Sequence, residues 1–380
     1  MAGTDQRTLD RALDAIEPLH ETAMADAAAR LDRLTKPPGS LGRLETLVIE
    51  LAGITGRADA TVERGVVVVA AADHGVTRQG VSAYPSDVTA QMVANFVGGG
   101  AAINVLGAWA GVRVVVVDVG VASPIPTVGA NPERGGRLVP ARIREGTADM
   151  TAGPAMSRAE ALRAVATGID LAATLGADGL DLLGVGEMGI GSTTAASAIC
   201  AVLTDQPVAL VTGRGTGIDD ATHARKIAAI ERALEVNRPD RRDPIGVLAA
   251  VGGLEIALLV GVIVGAAEAR IPVVLDGFIT GAAALVAVAL QPAIVPRLIA
   301  SHRSVEPGHA VILEHLGRRP LFDLDLRLGE GTGAALAMGL IGAAVRLRDD
   351  MATFESAAVS GPTAGEDPGA PASSGGPEHA

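Results

Sequence analysis

The chain has 380 residues, enough to bury a large core in one large domain or two smaller ones. Hydrophobic residues make up 48% but aromatic residues only 2%, and 48 glycines add to a small-residue content that suits tightly packed α/β layers. A net charge of −12 argues against nucleic acid as a partner, so local donors must hold any anionic ligand. A single cysteine and an acidic start without a secretory signal fit the cytoplasmic location that we expect.

The N-terminal third predicts helices followed by a buried strand. Apolar residues recur at helical spacing over residues 4–33, and Pro18 should divide this stretch into two helices. The segment Lys36–Glu45 contains two adjacent prolines and is typical of a rigid linker. Gly65–Ala72 is apolar on both faces, as a parallel strand is, and it ends in Asp73, where open α/β sheets bind ligands.

A loop with the only tyrosine follows the first strand. Tyr84 could stack a flat ligand, with Gln91 nearby, although a plain turn in which Tyr84 packs is the alternative. Val112–Val117 predicts a second strand, and residues 122–149, rich in Pro, Gly and Arg, predict an irregular or lid-like segment. Ser157 begins a capping box for the next helix.

The stretch DLLGVGEMGIGSTTAASA, residues 181–198, predicts a strand, a glycine-rich turn and a helix that Ser192 opens. The unpaired N–H groups of a helix N-terminus favour anions, and Gly189 and Gly191 let a ligand approach the backbone. Glu187 in this turn would accept a proton or face a developing positive charge. An ordinary turn with an exposed acid is the alternative.

A second glycine turn comes later in the chain. Val208–Thr212 predicts a strand, and Ile218–Glu235 predicts a helix. The alternating glycines between them form a candidate phosphate-binding turn, to which Arg214 or Lys226 could add charge, although a plain turn is equally compatible. The glycines of this turn are Gly213, Gly215 and Gly217.

One apolar stretch raises the question of a membrane span. Val247–Ala267 is close to the ~20 residues needed to cross a bilayer, but Glu255 and several interior glycines favour a single buried helix. We therefore predict no membrane span. Ile271–Leu275 then predicts a strand that ends at Asp276, another acid at a strand end.

Three side chains in the next loop raise the question of a metal. His302, Glu306 and His309 could form a metal site, but Pro307 and Gly308 interrupt any helix between them, and we predict neither metal nor cofactor.

Glu330 is a second glutamate enclosed by glycines. It lies in the sequence GEGTG, before an apolar helix predicted for Ala334–Val345. Burial of a carboxyl group there would raise its pKa, which suits a general base. From about Ala357 the composition predicts a disordered tail.

These features together fit the transfer of a phosphorylated sugar from one flat base to another. Such a reaction needs a phosphate clamp, a carboxylate that deprotonates the incoming nitrogen, and a wall for the acceptor. Two other classes remain open. One is a dinucleotide-binding oxidoreductase, because Gly184, Gly186 and Gly189 match G-x-G-x-x-G by letter. The other is a non-enzymatic nucleotide or base binder in which both glutamates only shape a pocket.

Seven motifs in order, over about residues 5–350, resemble the nicotinate-nucleotide–dimethylbenzimidazole phosphoribosyltransferase family of cobalamin synthesis. They are KPPGSLGRLE (Lys36–Glu45), AADHGV (Ala71–Val76), GEMGIGSTTAASA (Gly186–Ala198), GRGTGIDD (Gly213–Asp220), DGFITGAAAL (Asp276–Leu285), SHRSVEPGH (Ser301–His309) and GEGTGAALA (Gly329–Ala337).

The resemblance implies a Rossmann-like parallel sheet flanked by helices, a smaller helical domain built from both chain ends, and a homodimer. The expected divisions are residues 1–60 (the N-terminal part of the small domain), 61–333 (the α/β core), 334–356 (the helix completing the small domain) and 357–380 (the tail).

The implied reaction converts nicotinate mononucleotide and 5,6-dimethylbenzimidazole to α-ribazole 5′-phosphate and nicotinate, with inversion; the same chemistry on another base is the alternative. By resemblance, Glu330 is the general base, and Glu187 is the second catalytic residue, on the nucleotide side of the pocket. The remaining implied residues bind the two substrates: Gly213, Gly215, Gly217 and Lys226 at the 5′-phosphate, Gly189, Gly191, Ser192, Asp276 and Ser304 elsewhere at the nucleotide, and Tyr84 and Gln91 at the benzimidazole.

Overall fold

A six-stranded, fully parallel sheet forms the centre of the computed structural model, which describes residues 2–360. The spatial order is β3-β2-β1-β4-β5-β6, the order of a doubly wound sheet, so the predicted Rossmann-like α/β class is confirmed. The strands are β1 (Gly65–Ala72), β2 (Arg113–Gly120), β3 (Arg137–Pro140), β4 (Leu182–Met188), β5 (Val273–Leu275) and β6 (Leu298–Ala300).

Helices cover both faces of this sheet. They are α1 (Ala2–Asp14), α2 (Glu21–Asp32), α3 (Arg43–Thr55), α4 (Val88–Gly98), α5 (Ala102–Ala110), α6 (Arg158–Ala177), α7 (Ser192–Thr204), α8 (Val208–Val211), α9 (Asp220–Asn237), α10 (Pro244–Val251), α11 (Leu254–Glu268), α12 (Phe278–Leu290), α13 (Pro307–His315) and α14 (Thr332–Asp350). Short 3₁₀ helices lie at Gly75–Gln79 and Pro292–Arg297.

The strand β1 shows why the sheet is buried on both faces. Val66 and Val68 pack in the core that contains α6, α11 and α12, whereas Val67 and Val69 pack in the core that contains α5 and α14. Alternate side chains of a strand point to opposite faces, so an apolar run serves both cores. The strand order reverses between β1 and β4, which places a crevice at their carboxyl ends.

Two predicted elements are wrong. The predicted strand Val208–Thr212 is the short helix α8, because a run of four apolar residues fits either structure, and Leu210 is half exposed instead of paired. The predicted single helix Val247–Ala267 is two helices, α10 and α11, which are divided at Gly252 and Gly253. In addition, the irregular stretch 122–149 contains the unforeseen edge strand β3.

Other predictions are confirmed. Pro18 lies between α1 and α2, and Ser157 forms the expected capping box with Glu160 at the start of α6. The predicted linker Lys36–Glu45 is more than a spacer, because Lys36 Nζ and Glu45 Oε1 form a buried ion pair at 2.9 Å.

Helices from both chain ends share a small separate cluster of buried side chains. It joins α2, α3 and the end of α14 through Ala23, Ala27, Leu31, Leu34, Val48, Ala52 and Ala344. Helix α1 packs on α6 in the main core instead. The predicted domain limits stay a prediction, and residues 361–380 of the predicted tail lie outside the described residues.

Within the described residues, one stretch, Val88–Ala110, is long and apolar enough to be considered as a membrane span, and 44% of its most apolar part is buried. It consists of α4 and α5, separated at Gly99, and the core helices of globular proteins also meet this criterion. The apolar stretch considered in the sequence, Val247–Ala267, lies in the core as α10 and α11.

Candidate active site

A cleft lies at the carboxyl ends of β4 and β5. It adjoins the reversal of strand order between β1 and β4 and lies at the carboxyl edge of the sheet, where doubly wound sheets bind their ligands. Its lining combines acidic, glycine and hydroxyl residues, and the predicted residues among them are Glu187, Gly189, Ser192, Gly215, Asp276 and Ser304.

Glu187 lies within β4 and not in a turn after it, as the sequence had indicated. In the sheet it pairs with Ala70 of β1, and its side chain is only 6% exposed. Burial, followed by the negative charge of Glu255, raises the pKa of Glu187 to about 8, although a hydrogen bond with Ser192 acts in the opposite direction. Its Oε2 has no protein partner, so it is free to meet a ligand.

Glu330 lies in a strained turn directly before α14. Its φ of +65° is in the left-handed region, and Gly329 and Gly331 on either side also have positive φ angles. A non-glycine residue rarely adopts this conformation, so the surrounding contacts must hold it there. Burial raises the pKa of Glu330 to about 7, and its Oε2 has no protein partner.

The two glutamates are neighbours because their backbones touch. A Cβ on Gly186 would lie 2.6 Å from the carbonyl carbon of Glu330, so only glycine fits between β4 and this turn. On the other side of the turn, a Cβ on Gly329 would lie 3.0 Å from Glu187 Oε1. Gly186 therefore makes room for the Glu330 turn. Because Gly184 and Gly186 both lie inside β4, the letters G-x-G-x-x-G do not form a dinucleotide-binding loop here.

Asp276, which follows β5, binds the backbone of the Glu330 turn. Its Oδ2 accepts the Gly331 N–H at 3.0 Å, and its Oδ1 accepts the N–H groups of Gly333 at 2.7 Å and Ala334 at 3.3 Å. These donors are the unpaired N–H groups at the start of α14. Burial raises the pKa of Asp276 to about 7, although the three N–H groups favour its charged form. Asp276 thus lines the cleft while its oxygens hold the turn.

The predicted phosphate turn lies beside the cleft, and Lys226 lies behind it. Lys226 Nζ is fully buried and donates to Thr193 Oγ1 at 2.8 Å and to the Gly213 carbonyl at 3.2 Å. Burial lowers the pKa of Lys226 to about 8. The Gly215 N–H donates to Glu306 Oε1 at 2.8 Å, so a carboxylate already contacts this turn. Gly215 and Gly217 both have positive φ angles, which explains glycine there.

The loop after β6 carries Ser304 into the cleft. His309 fixes this loop, because its Nδ1 accepts the Ser304 N–H at 3.0 Å. Burial lowers the pKa of His309 to about 3 and that of His302 to about 4. Both rings are therefore uncharged at neutral pH, with one nitrogen as a hydrogen-bond donor and the other as an acceptor. Among the described residues, no group of three or more His, Cys, Asp or Glu side chains has the arrangement of a metal site.

The predicted acceptor residues lie on the neighbouring segment. Tyr84 is 51% exposed, and Gln91 is an exposed residue of α4; neither lines the central cleft. The two regions are nevertheless joined, because the Ile190 N–H donates to Oγ1 of Thr89, the second residue of α4, at 3.2 Å. The Tyr84 loop is therefore an open flank of the cleft. Gly191, the N-cap of α7 with φ +99°, lies between them.

The sequence reasoning missed a buried pair beneath this site. His74 Nε2 and Glu255 Oε1 are 2.7 Å apart, and both side chains are fully buried. A Cβ on Gly189 would lie 3.3 Å from the His74 ring, so the pair supports the turn after Glu187. Glu255 within an apolar stretch and His74 after β1 are each unusual in the sequence, but the 181 residues between them hide the pairing.

Two adjacent carboxyl groups with pKa values near neutrality can divide acid and base roles. Two neighbouring carboxylates resist simultaneous ionisation, so one keeps a proton while the other accepts one. The arrangement therefore suits proton removal next to a developing positive charge, beside a glycine turn and a helix N-terminus that suit an anion.

Comparisons with known proteins agree with this chemistry. A family model described as a phosphoribosyltransferase matches residues 16–359. Proteins from Chloroflexus aggregans and a Roseiflexus species, each named nicotinate-nucleotide–dimethylbenzimidazole phosphoribosyltransferase, are 57% and 56% identical over 93% of this chain and 98% of their own lengths. The crystal structure of the nicotinate-nucleotide–dimethylbenzimidazole phosphoribosyltransferase from Thermus thermophilus aligns with a TM-score of 0.81 at 47% identity, covering 90% of this chain and 99% of that one. The chain therefore belongs to the nicotinate-nucleotide–dimethylbenzimidazole phosphoribosyltransferase family.

Proposed function

We propose that the protein transfers the phosphoribosyl group of nicotinate mononucleotide to 5,6-dimethylbenzimidazole and releases nicotinate. The observation that carries this proposal is the backbone contact between strand β4, which holds Glu187, and the turn that holds Glu330; burial raises the pKa values of these two glutamates to about 8 and 7. The names of the relatives and the family match support the same reaction.

Glu330 is the general base in this proposal. One nitrogen of the benzimidazole attacks C1′ of the ribose while Glu330 removes the proton from the other nitrogen. The bond between C1′ and nicotinate breaks, and its electrons pass to the formerly cationic ring nitrogen, so the leaving group needs no added proton. Attack from the opposite face inverts the anomeric centre to give α-ribazole 5′-phosphate. A positioned base contributes ~10²–10⁴-fold to the rate.

Glu187 has the complementary role. Its pKa of about 8 keeps it largely protonated at neutral pH, so it donates a hydrogen bond on the nucleotide side. Its proton also lets Glu330 ionise without a second charge beside it. Glu187 therefore holds the nucleotide, and Glu330 performs the proton transfer.

The substrate subsites follow the layout of the cleft. The start of α7, with Gly189, Gly191 and Ser192, and the loop with Ser304 contact the nucleotide, and the Gly213–Gly217 turn, backed by Lys226, holds its phosphate. The Tyr84 loop and Gln91 of α4 receive the acceptor base, which needs a flat apolar wall. Asp276 contributes indirectly through the Glu330 turn.

The assembly and location of the protein are part of the same proposal. We place it in the cytoplasm as a homodimer, with the α/β core at residues 61–333 and the small domain at residues 1–60 and 334–356. The shared cluster of α2, α3 and the end of α14 supports a small domain built from both chain ends, whereas α1 packs on α6 in the main core. Sedimentation measures the dimer directly, and a monomer at micromolar concentration would contradict it.

A product assay tests the reaction. Purified protein is incubated with nicotinate mononucleotide and dimethylbenzimidazole, and we expect nicotinate and an α-linked ribotide by mass spectrometry and NMR. Nicotinate alone would mean donor cleavage without transfer, and an absence of both products despite nucleotide binding would favour a non-catalytic binder.

A matched pair of variants tests the base. Glu330→Gln should lose about 10²-fold or more in kcat and still bind the nucleotide. Glu314→Gln makes the same change at an exposed position of α13 and should leave kcat unaltered. A near-normal kcat in Glu330→Gln would refute the assignment.

A further inference from the structure

The predicted phosphate turn, Gly213–Gly217, already contacts a carboxylate, Glu306. Glu306 Oε1 accepts the Gly215 N–H, and Glu306 Oε2 is buried without a partner. A Cβ on Gly213 would lie 2.6 Å from the carboxyl carbon of Glu306, so this carboxylate fills the hollow of the turn. A 5′-phosphate with a charge of −1.5 to −2 at neutral pH would therefore lie next to a second anion.

Lys226 offers limited compensation for this charge. Its ammonium group has three N–H donors, and two of them are already used by Thr193 and Gly213. Burial also lowers the pKa of Lys226 to about 8. Arg214, the cation within the turn, points to its own loop and donates to the Ile218 carbonyl and to Asp220.

Arg327 is the remaining cation at this place. Among the described residues that line the cleft, it is the one lysine or arginine. Its Nη1 lies 3.5 Å from the Gly215 carbonyl and 3.9 Å from where a Cβ on Gly217 would stand, so the guanidinium spans the phosphate turn. The side chain is otherwise exposed and has no acidic partner within 4.0 Å in the described chain, which leaves its donors free.

We propose that Arg327 binds the 5′-phosphate of the donor across the Gly213–Gly217 turn and sets the preference for a nucleotide over a nucleoside. A guanidinium presents a rigid set of donors that fits two phosphate oxygens, and it stays charged at every working pH. Arg327 precedes Glu330 by three residues on the same segment. A phosphate held by Arg327 therefore also anchors the segment that carries the base, which lets binding energy from a remote group assist the reaction.

This inference rests on the proposed function, and its test separates the two. The donors are nicotinate mononucleotide and nicotinate riboside, which differ only in the phosphate. We expect Arg327→Ala to lower kcat/KM for the mononucleotide about tenfold or more and to leave kcat/KM for the riboside within about twofold of the wild type. Arg327→Lys should recover part of the loss, because it restores the charge without the bidentate geometry.

A matched control removes the same charge elsewhere. Arg232→Ala lies on α9, where the side chain is largely exposed and pairs with Glu235 at 2.8 Å, and it should behave as the wild type with both donors. Equal losses with both donors in Arg327→Ala would mean that Arg327 acts through its loop, and no loss with the mononucleotide would mean that it does not contact the phosphate. Either result overturns the proposal.

Calorimetric binding of the same two donors gives a readout that needs no turnover. If the wild type binds the mononucleotide more tightly than the riboside, and Arg327→Ala reduces this difference about tenfold or more while no product forms, the assigned reaction fails and the role of Arg327 stands. If the wild type binds the two donors equally, the role of Arg327 fails whatever the turnover.

Discussion

Asp276→Asn tests whether the turn that carries the general base is held from a distance. The wild-type carboxylate accepts three backbone N–H groups of the Glu330 turn and of the first residues of α14. Asparagine keeps one acceptor oxygen and places an NH₂ group against N–H donors. The substitution therefore removes the cap of α14 and releases a glutamate whose φ is +65°.

The expected magnitude follows from these contacts. Loss of a helix cap costs about 0.5–2 kcal/mol, and each hydrogen bond to a charged group contributes about 1.5–3 kcal/mol without being additive. We therefore expect a loss of roughly 2–4 kcal/mol in the free energy of unfolding. At an unfolding entropy of about 2.1 cal/mol/K per residue, this corresponds to a Tm lower by about 3–5 °C. A base displaced by about 1 Å costs ~10²-fold in rate.

The assay combines steady-state kinetics with scanning calorimetry at pH 8, above the pKa of Asp276 at about 7. We expect a large loss in kcat, a small change in KM for the nucleotide and the lower Tm. Asp243→Asn is the control, because Asp243 caps α10 through the Gly246 N–H and lies outside the cleft. It should lower Tm slightly and leave kcat unchanged. An unaltered kcat in Asp276→Asn, or a loss of activity at the wild-type Tm, would refute this reasoning.

Four further predictions concern the pH profile, the stability of the Glu330 turn and the acceptor flank. The ratio kcat/KM should rise with pH up to about 7, because Glu330 must lose its proton before it can act as a base, and a flat profile from pH 5 to 8 would contradict this role. Because the pKa of Glu330 is raised to about 7 in the folded protein, ionisation of this buried carboxyl group destabilises the fold as the pH rises from about 4.5 to above 7. Glutamine cannot ionise, so Glu330→Gln should gain up to about 3 kcal/mol in the free energy of unfolding at pH 8, measured by urea titration. Gly186→Ala should lose about 2 kcal/mol or more in the free energy of unfolding and lose activity, because its Cβ would collide with the Glu330 turn. The control Gly342→Ala, in α14 with open space around it, should gain about 0.5–1 kcal/mol. Equal stability of the two variants would show that the contact at Gly186 is not tight. Tyr84→Ala should raise KM for the benzimidazole and leave KM for the nucleotide unchanged, and the opposite pattern in initial-rate measurements would move the acceptor elsewhere.

The sequence predicts those parts of the fold that depend on local patterns. The run Gly65–Ala72 predicts its strand clearly, because eight apolar residues followed by Asp73 are typical of a central parallel strand. The strand predicted for Val208–Thr212 is wrong because four apolar residues are too few to distinguish the period of a strand from that of a helix. Glycines on both sides of Glu187 favour a turn in the sequence, but Gly186 lies inside β4, where the absence of a side chain admits the backbone of the Glu330 turn.

The arrangement of the site depends on contacts that local patterns do not contain. Asp276 and Gly331 are separated by 55 residues and His74 and Glu255 by 181, so neither pairing leaves a signal in spacing. The roles of Asp276 as a cap and of Glu306 as an anion inside the phosphate turn emerge only when the strands and loops are brought together. Residue type and neighbouring glycines nevertheless singled out Glu187 and Glu330, which the structure brings together through the contact of Gly186 with the Glu330 turn.

The contact between Gly186 and the Glu330 turn has a consequence for redesign of this protein. Because main chain meets main chain there, the spacing of Glu187 and Glu330 does not depend on how any larger side chain packs. The acceptor flank, with Tyr84 and α4, belongs to a different segment and joins the cleft through a hydroxyl of Thr89. Libraries that vary the exposed positions of this flank can therefore search for new acceptor bases while the proton-transfer apparatus stays in register.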